Sequence, residues 1–158
     1  MNVAVNWKGN MTFVGESPSG FPIQMDSNPK ISGTNNGPRP MELIAIGLGG
    51  CTAMDVISIL KKKRQEVTHF DVTVDAPRAS ENPKVFTAAV IKYIVSGKNL
   101  SKDAVLRAIE LSAEKYCPAQ AMLEKAFPID LHYEIYEDGE DGNQTLTYQG
   151  IWEKADQD

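Results

Sequence analysis

The stretch from Pro40 to Leu60, PMELIAIGLGGCTAMDVISIL, constrains this chain more than any other part of it. It is apolar on nearly every side, and only Glu42 and Asp55 interrupt it with charge. A surface helix shows one apolar stripe, whereas a helix that is apolar all round is buried. The segment therefore predicts one long buried helix from Met41 to about Arg64. Pro40 suits the first position, where its missing N–H has no partner to lose. The run KKKR, Lys61–Arg64, places cations on the last turn, at the negative end of the helix dipole. Gly47, Gly49 and Gly50 each weaken a helix by up to ~1 kcal/mol relative to alanine. Three of them directly before Cys51 point to another backbone approaching closely there. So long an apolar run also raises the question of a membrane span. The two carboxylates inside it, and the lack of a second such run, make a core helix the expectation and a membrane partner unexpected.

The remainder reads as short strands and two further helices. NVAVNWKG alternates Val3, Val5 and Trp7 with polar residues, and MTFVGES and FPIQMDS are shorter strands split by the turn SPSG. NPKISGTNNGPRP is a loop by composition. FDVTVDA alternates without a break, and KVFTAAVIKYIVSG is a longer strand. Ser101 caps a helix with Asp103 in its first turn and an apolar stripe of Val105, Ile109, Ala113 and Tyr116. PAQAMLEKAF opens another helix at Pro118, and the last strands form a hairpin around EDGEDG. Strands on both sides of the helices, without a regular βαβ alternation, predict an α+β fold, and one domain over residues 1–158 is the simplest account. The formal net charge of −5 offers no positive surplus to release counterions, so no nucleic-acid partner is expected. MNVAVNWKGN has no basic region leading into an apolar run. The default is then the cytoplasm, where thiols stay reduced.

That default draws attention to the 2 cysteines. Cys117 precedes Pro118 at a helix start, where the positive end of the dipole favours a thiolate and a depressed pKa. Cys51 lies in the apolar helix, where burial raises a thiol pKa and reactivity requires a nearby cation. The plain alternative is two small core residues. Neither cysteine stands at structural-zinc spacing with His69 or His132, and no metal is expected. His69 falls at the loop edge before FDVTVDA, and His132 on the solvated polar face of IDLHYEI. ELIAIGLGG also has the outline of a strand followed by G-x-G, with Asp71 or Asp75 as the ribose acid of a dinucleotide site. Its third glycine would fall on Thr52, and the flanking segments read as antiparallel strands. The long helix is the reading adopted, and no cofactor is expected.

GPRPMELIAIGLGGCTAMDV, together with YCPAQAML further along, resembles the OsmC/Ohr family of thiol peroxidases, and more narrowly its YhfA-like branch. The resemblance extends over nearly the whole chain. It implies an OsmC-like fold of antiparallel sheets wrapped around long central helices, in an entwined homodimer with active sites at the dimer interface. It implies that Cys51 attacks an organic hydroperoxide and becomes a sulfenic acid, and that Cys117 condenses with it to a disulfide. A lipoyl-type dithiol would then reduce that disulfide, as part of oxidative-stress defence. The glycines would let the central helices approach and form an apolar pocket. In that family the attacking cysteine is paired with an arginine from the N-terminal strands and a glutamate directly after the helix-starting proline. Here no arginine precedes Arg39, Lys8 is the cation of the early strands, and the glutamate is Glu42, one position later. Glu42 and Cys51 are separated by about two and a half turns of helix. Arg39 is the natural substitute cation, oriented by Glu42 through a bidentate pair. This departure keeps a second function in view, a non-catalytic module of the same fold that binds a small apolar molecule at the dimer interface.

Overall fold

A computed structural model describes residues 1–153. They form two compact units, Met1–Ala45 and a second beginning at Ile46. The first unit opens with an antiparallel meander of β1 (Ala4–Trp7), β2 (Phe13–Glu16) and β3 (Ile23–Met25). Its register pairs Trp7 with Phe13 and Phe13 with Met25, which stacks large apolar side chains across the sheet. The loop that follows is organised around one carboxylate. Asp26 is buried and accepts hydrogen bonds from the backbone N–H groups of Ser27, Thr34 and Asn36 and from the Thr34 hydroxyl. A loop so rich in polar residues has little apolar surface to bury. A single acceptor with four donors gives it a fixed shape instead.

Helix α1 runs from Pro40 to Lys62, with proline at its first position as its sequence predicts. Among the described residues it is the one helix long and apolar enough to cross a membrane by length and composition. Its inward residues Leu48, Val56 and Leu60 instead belong to the core of the second unit. That core lies on one face of a four-stranded sheet in the order β4 (Glu66–Asp75), β5 (Ala89–Lys98), β6 (Ile129–Asp138), β7 (Gln144–Trp152). Alternate residues Ala89, Ile91, Tyr93 and Val95 of β5 and Leu131, Tyr133 and Ile135 of β6 point into it. Gly97 is needed at the β4–β5 bulge, because a Cβ there would lie 2.1 Å from the Glu66 carbonyl oxygen.

The central pair β5–β6 is parallel, and the outer pairs are antiparallel. A parallel pair requires a crossover, supplied here by α2 (Lys102–Leu111), a π-helical turn (Ser112–Tyr116) and α3 (Pro118–Leu123). Ser101 caps α2 as expected, its hydroxyl accepting the Ala104 N–H. Val105, Ile109 and Ala113 are buried, but Tyr116 is 49% exposed. The reason is the π turn, in which Cys117 N–H reaches the Ser112 carbonyl at 2.8 Å. One extra residue per turn breaks the helical phase on which a continuous stripe depends. His69 also differs from expectation. It lies inside β4, because that strand already begins at Glu66, and its Nε2 is 2.9 Å from Asp71 Oδ2.

The hydrogen bonds to Asp26, led by that of Thr34, lower its pKa from 3.8 to about 2. A depressed carboxyl pKa contributes stability that is complete above the unfolded value and is lost as pH falls through the folded one. Between pH 4 and pH 2 the loop after β3 should therefore loosen. Amide resonances of Thr34 and Asn36 are expected to broaden or shift before those of β1 and β2, and Asp26→Ala should show the loosened loop already at pH 7.

Candidate active site

The two cysteines stand on different elements of the second unit. Cys51 is on α1, half-exposed, and Cys117 is 2% exposed at the junction of the π turn and α3. The Sγ atoms of Cys51 and Cys117 and a carboxylate oxygen of Asp55 all lie within 4.8 Å of one another. Asp55 follows Cys51 by four residues, which puts both on one face of α1, one turn apart. Neither cysteine is joined in a disulfide.

The environment of Cys117 reverses the sequence expectation for it. Its thiol is pushed up to about 11, first by burial and further by the neighbouring Cys51 and Asp55. The Gln120 N–H, 3.4 Å from Sγ, pulls the other way, as a helix N-terminus should, but α3 is a short helix and burial outweighs it. Cys117 at neutral pH is therefore a thiol that requires a base before it can act as a nucleophile.

A chain of buried hydroxyls ends at this cluster. The Tyr93 hydroxyl is 2.6 Å from Thr52 Oγ1, Thr52 Oγ1 is 2.9 Å from Ser112 Oγ, and Ser112 donates to Asp55 Oδ2 at 3.3 Å. Tyr93, Thr52 and Ser112 are fully buried. An ionised carboxylate only accepts, so with Asp55 ionised the polarity runs one way, Tyr93 to Thr52 to Ser112 to Asp55. Burial also pushes the Tyr93 pKa well up, so its phenol remains a donor. These residues went unassigned in the sequence. The signals were Asp55 itself, a charge in an otherwise apolar helix, and Thr52 where a glycine motif would continue. Tyr93 and Ser112 carried none, because their partners lie on other elements.

Arg39 and Glu42 belong to the first unit. Glu42 Oε2 accepts the Arg39 backbone N–H at 2.9 Å, half of a capping box at the start of α1. The Arg39 guanidinium donates to Asn35 Oδ1 at 2.5 Å. The bidentate Arg39–Glu42 pair is thus not formed, because a carboxylate at the third helical position is in reach of the free N–H at the helix start. Beside Arg39, an apolar pocket of about 220 Å³ opens among Val5, Met11, Phe13 and Met25. For metal binding, Cys51, Asp55 and Cys117 offer two sulfurs and one carboxylate. A closed structural zinc site takes four protein ligands, and His69 is instead paired with Asp71.

Comparison with known proteins places the chain in context. The model of the family described as OsmC-like protein matches residues 33–132. Protein YhfA of Escherichia coli K12 is 46% identical over 135 residues, covering 85% of this chain and 98% of that protein. Among solved structures, a hypothetical protein from Aquifex aeolicus is 30% identical with a TM-score of 0.76, covering 87% of this chain and 97% of its own. An organic hydroperoxide resistance protein from Legionella pneumophila shares the fold at a TM-score of 0.60 and 12% identity, covering 85% of this chain and 96% of its own.

The hydroxyl chain makes a direct energetic prediction. Thr52→Val keeps the shape of residue 52 but leaves the buried Tyr93 hydroxyl without its partner. A buried orphaned hydroxyl costs about 1–3 kcal/mol. Urea unfolding should show that loss in the variant, and adding Tyr93→Phe, which removes the orphan, should recover part of it.

Proposed function

The chain belongs to the OsmC-like protein family, and on that premise we propose that it is a thiol peroxidase for organic hydroperoxides. The observation that carries this reading is the asymmetric cysteine pair, with an accessible Cys51 and a buried Cys117 whose sulfurs lie within 4.8 Å. In the first step the Cys51 thiolate attacks the outer peroxide oxygen. The O–O bond breaks, the alcohol leaves with a proton, and Cys51 becomes a sulfenic acid. Cys117 then forms the S–S bond and expels the hydroxyl as water. A lipoyl-type dithiol restores both thiols by exchange and is itself oxidised to a disulfide. The Legionella pneumophila protein of the same fold is named for organic hydroperoxide resistance. The name of the Escherichia coli relative states no activity.

Arg39 is the proposed activating cation, since a guanidinium stays charged when partly buried. The first unit itself carries an apolar pocket beside Arg39. The same pocket favours the second reading, a non-catalytic module that binds a small apolar molecule.

The exposed side of α1 supports a homodimer. Only 33% of its most apolar stretch is buried within one chain. Ile46, Gly47, Gly50 and Met54 form an exposed stripe along one side, with Met54 75% exposed. A Cβ added at Gly47 or Gly50 would meet no described atom within 4 Å, so these glycines leave room for a second backbone. A copy of the same helix is the self-complementary occupant that two-fold symmetry provides. Sedimentation at low micromolar concentration should give twice the 17.4 kDa chain mass. A folded monomer there would reject the dimer.

Stopped-flow oxidation tests the activity. Cumene hydroperoxide should oxidise the reduced protein at least about tenfold faster than hydrogen peroxide, as burial of a bulky apolar group implies. The product should be lighter by two hydrogens. Cys51→Ser should abolish the reaction, and Cys117→Ser should stop it at the sulfenic acid. Arg39→Met should slow it, and Lys8→Met should not. Wild-type protein no faster than a free small thiol would sink the peroxidase reading in favour of the binding module.

A further inference from the structure

We propose that Asp55 is the proton shuttle of the disulfide-forming step, taking the proton from the Cys117 thiol and delivering it to the group that leaves Cys51. The inference rests on the peroxidase reading for the identity of that leaving group, and on geometry for the rest. Cys117 must lose a proton to attack, and burial holds that proton on the sulfur. The carboxylate of Asp55 is within 4.8 Å of both sulfurs. A sulfenic oxygen on Cys51 adds a hydrogen-bonding atom to the same small space. The balanced step is Cys117–SH plus Cys51–S–OH giving the S–S bond and one water. The S–O bond breaks, the Cys117 sulfur is oxidised and the Cys51 sulfur reduced. Asp55 holds the proton between the two events and is regenerated ionised.

The hydroxyl chain supplies what such a shuttle needs. A carboxylate one turn from a cysteine on a helix has several rotamers. Ser112 holds one of its oxygens, and Ser112 is held in turn by Thr52 and Tyr93. A carboxylate oxygen of Asp55 so held lies within 4.8 Å of both sulfurs. Among the described residues Asp55 forms no ion pair, so no fixed cation competes for that oxygen. The titratable groups acting on Cys117 are Cys51 and Asp55 on α1 and, across from them, Tyr93 on β5. Of these, Asp55 is the carboxylate within reach of both sulfurs.

The test uses dithiodipyridine, a neutral aromatic disulfide that loads Cys51 without a peroxide. Loading releases one thiopyridone, and attack by Cys117 on the mixed disulfide releases a second. The second phase reports the deprotonation of Cys117 directly, and Cys117→Ser should lack it. In Asp55→Asn the second phase should be about a hundredfold slower at pH 7, the scale of general-base catalysis. The gap should narrow toward pH 10, as Cys117 loses its proton to solvent, and Asp55→Glu should recover part of the rate. Equal second phases in wild type and Asp55→Asn would overturn the proposal, as would a gap that does not change with pH. If Asp55→Asn does not fold, Ser112→Ala decides: a slower second phase whose deficit narrows with pH supports the shuttle, and an unchanged rate overturns it. The two readings fail separately. Wild type that completes the dithiodipyridine reaction but ignores cumene hydroperoxide removes the peroxidase and keeps the shuttle. Equal second phases remove the shuttle whatever the peroxide does.

Discussion

The approach of α1 to the four-stranded sheet at Gly49 is the contact on which the site depends. A Cβ at that position would lie 2.9 Å from Val74 Cγ2 on β4. Without a side chain there, the helix sits low enough for Thr52, three residues on, to reach the Tyr93 hydroxyl on β5. Thr52 then engages Ser112, Ser112 engages Asp55, and the cysteine pair falls beside Asp55. A glycine in a helix carries a cost of up to ~1 kcal/mol. Here that cost is offset by burial of Leu48, Val56 and Leu60 against the sheet.

The site combines desolvation with negative charge, and both act in the same direction on a thiol. Burial disfavours the Cys117 thiolate, and so do Cys51 and Asp55. The helix-start position of Cys117 was the strongest argument for an activated thiol, and it contributes one weak hydrogen bond from Gln120. A buried thiol of this kind is protected from casual oxidation and reacts only when a base is beside it. The half-exposed Cys51 meets solvent first. The division into a more accessible cysteine and a sheltered one follows from burial, without any difference in residue type.

Much of the fold was legible because it rests on local pattern. The alternation in FDVTVDA marked β4, although the structure extends it back to Glu66. Pro40 marked the start of α1 and Ser101 the cap of α2. The Tyr116 stripe failed because a π turn has no signature in apolar spacing. The Arg39–Glu42 pair failed because Glu42 caps the helix instead. That competition is decided within a few residues, but it requires knowing where the helix begins to within one position.

By itself the sequence determined the elements, the α+β class, the family and the two cysteines, since each rests on periodicity or on a short contiguous motif. Only the tertiary structure decided that Asp55 stands beside both sulfurs, that Ser112, Thr52 and Tyr93 are tied to it, and that Cys117 is a suppressed thiol. The physical reason is that hydrogen bonds and desolvation depend on distances between elements. Tyr93 and Thr52 are 41 positions apart in the chain and 2.6 Å apart in space. No local pattern encodes that separation, because it is set by how closely a helix with glycine at its contact point settles on a sheet.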